Sequence, residues 1–113
     1  MMESTKINAA ELEGLIAAFH QLWDSFPGLA RLITTRHEIL ASNDLARKAG
    51  FVEGEICAKV GKPESHRNCL LGKMVQTGQA QTQWLGNEKI KGWMPVEGHP
   101  ELLIHFTLFL PER

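Results

Sequence analysis

Cys57, His66 and Cys69 form the one constellation in the chain with metal-ligand residue types close together in sequence. Their spacing, C-x8-H-x2-C, offers three soft ligands. His66 and Cys69 stand three apart, so a helix would turn both side chains the same way. A closed structural zinc site takes four ligands, and this set leaves one position open. No CxxC pair supports an iron–sulfur cluster. The competing reading is structural: free cysteine behaves as a small hydrophobe, and His66 serves a helix start. The cofactor stays open between none and a metal.

Enzyme chemistry finds little support. A thiol nucleophile needs a base and an oxyanion donor, whereas Cys57 or Cys69 with His66 gives only a dyad. Glycine-rich phosphate loops, HExxH and GxSxG are all missing from the sequence. The expectation is a protein that binds and reports rather than catalyses.

The elements that would position these residues follow from periodicity. Asn8 caps a helix running to about Asp24, and Leu12, Leu15, Ile16, Phe19, Leu22, Trp23 and Phe26 follow its 3.6-residue period. This wide apolar face must be covered. Pro27-Gly28 ends it. Two short strands, Ala30 to Thr35 and Glu38 to Ser42, turn at Arg36-His37. Ser42 or Asn43 caps a short helix, Asp44 to Ala49, closed by Gly50. After an irregular stretch from Phe51 to Pro63, Ser65 reads as the cap of a helix from His66 to Thr77, with Gly78 behind it.

From Gln79 the period drops to two. Gln79 to Leu85, Lys89 to Val96 and Glu101 to Leu110 read as an antiparallel meander, with turns at Gly86-Asn87 and Glu97-Gly98-His99-Pro100. Both alternating sets of the last strand are largely apolar, which places it centrally with cover on both sides. The predicted fold is α+β: a five-stranded antiparallel sheet in the order 2-1-5-4-3, short helices on one face, and the N-terminal helix or a partner chain on the other.

With 113 residues and 12.6 kDa there is room for one domain, and a 43% hydrophobic fraction supports one core. Twelve Lys and Arg against thirteen Asp and Glu leave a formal charge of −1 with no basic block, which argues against nucleic acid. Residues 1–6 lack the apolar core of a secretion signal, and Leu102–Leu110 is too short to span a bilayer as a helix. A cytoplasmic location is expected, with two thiols rather than a disulfide.

The element order, with Asn43 opening a helix after the second strand, resembles the PAS domain of the bacterial sensory-box type. Gly50-Phe51-x-Glu53-Gly54-Glu55 is similar to the turn that follows in that family, and Cys57, Cys69-Leu70-Leu71 and Thr77-Gly78 are similar to one of its subgroups. The likeness runs from Phe26 to Leu110, with residues 1–26 as an added helix that caps or dimerises and 27–113 as the sensory domain. Arg36-His37 stands where the family often has Asp-Gly, and Pro111-Glu112-Arg113 stands where many members carry an Asp-x-Thr signal. The resemblance implies small-molecule binding between the long helix and the sheet, near Asn43, Phe51, Leu70, Met74, Trp93 and Phe106. It also implies reporting through a homodimer, and it admits haem held by an axial histidine, for which His20, His66 and His105 are the candidates. A ligand-free homodimerisation module and a Cys/His metal or redox sensor are the alternatives.

Overall fold

The computed structural model describes residues 8–56 and 69–110. Helix α1 spans Ala9–Trp23, and the side chain of Asn8 caps it by accepting the Glu11 N–H at 2.7 Å. Strands β1 (Leu29–Thr34) and β2 (Ile39–Ser42) follow, then helix α2 (Asp44–Lys48), helix α3 (Leu71–Thr77), and strands β3 (Gln81–Leu85), β4 (Lys89–Val96) and β5 (His99–Phe109). The sheet is antiparallel throughout its described pairs, in the order β2-β1-β5-β4-β3. That is the order expected from the doubly apolar last strand, which lies between β1 and β4.

Two local expectations need correction. The third helix begins at Leu71 rather than His66: Cys69 and Leu70 lie outside it, and Leu70 provides no side-chain cap. Burial of Leu71 and Met74 defines where this helix sits, and Gly78 closes it in the left-handed conformation. The β4–β5 turn is also tighter than the Glu97–Pro100 loop read from the sequence. Only Glu97 and Gly98 turn, because a register shift between Pro95 and Val96 brings Val96 opposite His99. Pro95 is tolerated there because β3 pairs with β4 only as far as Trp93.

The two sheet faces carry separate clusters. On the inner face Ile33, Ile39, Trp93 and Leu103 pack with Leu71 and Met74 of α3. On the outer face Ala30, Leu32, Ala41, Leu102 and Ile104 pack with Phe19 of α1, joined by Leu15, Ile16 and Trp23. Thus α1 covers the face that needed a cover. An irregularity between Leu32 and Ile33 sends Ala41 outward and Ile39 inward, although residues two apart in a regular strand share a face.

Candidate functional site

Antiparallel register places one residue from every strand in a single row: Ser42, Arg31, His105, Trp93 and Gln81. Cross-strand partners share a face, so this row crosses the inner side of the sheet. Its central three members are buried, with Arg31 at 2%, His105 at 7% and Trp93 at 1% exposure. Buried charge needs compensation. Arg31 Nε donates to the His105 carbonyl at 3.2 Å, its Nη2 donates to Thr107 Oγ1 at 3.0 Å, and its guanidinium lies 4.3 Å over the Phe51 ring.

His105 is held just as firmly. Its Nδ1 is 2.8 Å from the Gly92 carbonyl. A carbonyl can only accept, so Nδ1 carries a proton in this arrangement. The imidazole stacks on the Trp93 indole at 4.7 Å and 13°. Beside the aliphatic side chains of Ile33, Ile39 and Leu103, this is a polar and aromatic patch fixed by the sheet itself.

Four of the residues expected to line a ligand site come together here. Met74 and Trp93 belong to the inner cluster, and Phe51 and Leu70 pack against it. Phe106 does not join them. Alternation in β5 sends it to the outer face, where it stacks on Trp23 at 6.1 Å and meets Phe26 edge-on at 5.5 Å. The sheet separates it from Trp93. Asn43 is committed to backbone: its Oδ1 accepts the N–H groups of Ala30 and Ala46, and its Nδ2 donates to the carbonyls of Gly28 and Trp23. Its role in this geometry is architectural, joining the end of α1, the start of β1 and the cap of α2.

Of the metal-ligand candidates, Cys57 and His66 lie outside the described residues, and Cys69 is exposed. Among the described residues no three His, Cys, Asp or Glu side chains converge on a point that could hold a metal ion. Of the haem candidates, His20 sits on α1 beside Asp24, with Nδ1 2.8 Å from the carboxylate, far in the topology from the inner face.

Arg31 is not among the residues that the sequence motifs single out, although a signal exists. It shares parity with Ile33 in a strand whose other inward positions are apolar, so its burial was readable from alternation. A second polar link is Glu53, which accepts from Arg47 Nη2 and from the Ser42 N–H. Partial burial pushes the Glu53 carboxyl up, but these hydrogen bonds and the Arg47 charge outweigh it and hold the group below its ordinary range. The exposed clamp ties α2 to the chain just beyond it.

A cleft of about 500 Å³ opens beside this layer, between the end of α3 and the β4–β5 turn; Met74, Val75, Pro95 and Pro100 are among its walls. Met74 therefore belongs both to the inner cluster and to a surface opening. Among the described residues no helix is long and apolar enough to cross a membrane.

No protein-family model matches the chain, and no curated protein sequence matches it. Its fold does have a counterpart among solved structures. The crystal structure of a sensory box sensor histidine kinase from Vibrio cholerae superposes with a TM-score of 0.61 over 96% of this chain and 100% of that one, at 8% identity. At that identity the likeness is one of architecture: the chain has a five-stranded antiparallel sheet with flanking helices, the fold of a sensory-box, PAS-like domain.

Proposed function

We propose that the chain is a signal-sensing module that binds a small molecule between α3 and the inner face of the sheet and reports through contact with a second copy. The observation that carries this reading is the buried Arg31–His105–Trp93 row. A domain that needed only a core would be served as well by aliphatic side chains, since burying an arginine costs more than burying a leucine. Such a row makes sense where polar groups must meet a bound molecule. The cleft at Met74 supplies a surface beside it, and the sensory-box architecture fits the role. Binding rather than catalysis is proposed, because Cys57 or Cys69 with His66 offers only a dyad in the sequence, without a recognisable oxyanion donor.

The reporting half rests on apolar surface. Trp84 is 67% exposed, and the register aligns it with Ile90 and Leu108 on the outer face beyond α1. Leu22 of α1 is 75% exposed. A second copy is the proposed cover for both.

The test is native mass spectrometry of the full chain purified without added ligand, with light scattering for the assembly state. A retained small molecule and a dimer are expected. A homogeneous ligand-free dimer would instead favour a plain homodimerisation module, and a ligand-free monomer would sink both halves of the proposal.

A further inference from the structure

Trp93 is 1% exposed, and its indole Nε1–H has no hydrogen-bond partner. It is the sole buried side-chain nitrogen or oxygen in that condition among the described residues. Its neighbours show how unusual this is. Arg31 donates to His105 and Thr107, His105 bonds Gly92, and Asn43 makes four bonds to backbone. Buried polar groups are nearly always satisfied, and one left unmade forfeits the hydration it had in water. Indole nitrogen is a donor only, so whatever completes it must be an acceptor.

The surroundings narrow the class. Trp93 lies in the layer beneath Leu71 and Met74 of α3, and Met74 also forms a wall of the open cleft. His105 covers one side of the indole and orients it. We infer that Trp93 Nε1 is the anchor for a small molecule bearing a carbonyl or carboxylate oxygen, which enters beside Met74. This rests on the reading of the inner face as a ligand site and adds the group that fixes the ligand's orientation.

The indole N–H resonances of the ¹⁵N-labelled full chain test it. Trp93→Phe assigns the Trp93 signal against those of Trp23 and Trp84. Benzoate, benzamide and toluene are then titrated at millimolar concentration. Benzoate and benzamide should each move the Trp93 signal to lower field, and Trp93→Phe should weaken both by about tenfold while leaving toluene unaffected. Trp23→Phe and Trp84→Phe give the same assignment by elimination, so the shift read in the unmodified protein stands even if Trp93→Phe folds poorly. Three results overturn the inference: no probe moves the signal, Trp93→Phe binds the oxygen-bearing probes as before, or the signal is already at low field and unresponsive because water completes it. Binding of toluene alone, or a co-purified ligand without an oxygen acceptor, overturns the anchor but leaves the ligand-binding reading standing. No probe bound and no ligand retained would remove both.

Discussion

Replacing Asn43 with alanine should be among the most damaging single changes in the chain, and its cost can be worked from its partners. Asn43 is 1% exposed, and its amide makes four hydrogen bonds to backbone groups. The bond to the Trp23 carbonyl is the longest, 3.3 Å, and is only partly buried, so water can replace it. The other three, to Ala30 N–H, Ala46 N–H and the Gly28 carbonyl, are buried. Each buried group left unpaired costs about 1–3 kcal/mol, and loss of an N-cap by itself costs about 1 kcal/mol. Relaxation recovers part of this, so the expected loss is about 3–5 kcal/mol, a large share of the 5–15 kcal/mol that holds a typical domain together.

Urea unfolding, followed by the fluorescence of the three tryptophans, measures it. With a slope of about 1.5 kcal/mol per molar for a small domain, the midpoint should fall by about 2–3 M with the slope unchanged. Asn43→Asp separates the two halves of the side chain. Its carboxylate can still accept from Ala30 and Ala46, but it faces the Gly28 carbonyl without a proton to give. It should therefore keep the α2 cap and still lose about 2 kcal/mol or more. A loss below about 1 kcal/mol in Asn43→Ala would refute the reasoning, because it would mean these bonds are made as well by solvent.

Other expectations follow from the same geometry. A Cβ at residue 92 would overlap the Phe106 ring, which Trp23 and Phe26 hold in place; Gly92→Ala should cost about 1–3 kcal/mol, and adding Phe106→Leu should return part of it in a thermal melt. Glu53 has a lowered folded-state pKa, so its contribution is present above the ordinary carboxyl pKa of about 4.3 and is lost as pH falls through the lower folded value. Glu53→Gln should accordingly flatten the fall in urea midpoint between neutral pH and about pH 3, and an unchanged pH profile would contradict the clamp. Deleting residues 1–24 uncovers Leu32, Leu102 and Ile104, each worth about 1.5–3 kcal/mol when buried; light scattering should show aggregation or a changed assembly, and a soluble, equally stable monomer would refute the covering role of α1.

The parts of this fold that were readable are those in which a single physical pattern runs long. The stripe on α1 and the doubly apolar β5 each dictate burial on their own, and β5 together with the element order implies the strand order. What escaped was local and depended on partners distant in sequence. The turn at Glu97–Gly98 is short because Val96 finds His99 across a register shift, which no window of sequence displays. The start of α3 follows the burial of Leu71 and Met74 rather than a polar cap. The resemblance puts Phe106 near the ligand, although its parity with Leu102 and Ile104 in the sequence puts it on the other face. Arg31 shows the converse. A charge on an inward position reads as an error in the pattern until Thr107, 76 residues away, supplies its hydrogen-bond acceptor.

Alternation in β5 also explains why the two faces cannot be tuned independently. His105 and Thr107 point inward while Ile104 and Phe106, their chain neighbours, point outward. A slip of one residue would put the imidazole under α1 and the phenyl ring among Arg31 and Trp93, exchanging a satisfied polar row for buried groups without partners. The device that forbids the slip sits across from Phe106. Gly92 lacks a side chain, so the ring can lie flat over the β4 backbone, and that same Gly92 offers its carbonyl to His105 on the opposite face. One glycine thus fixes an aromatic contact beneath α1 and the orientation of the histidine beside Trp93.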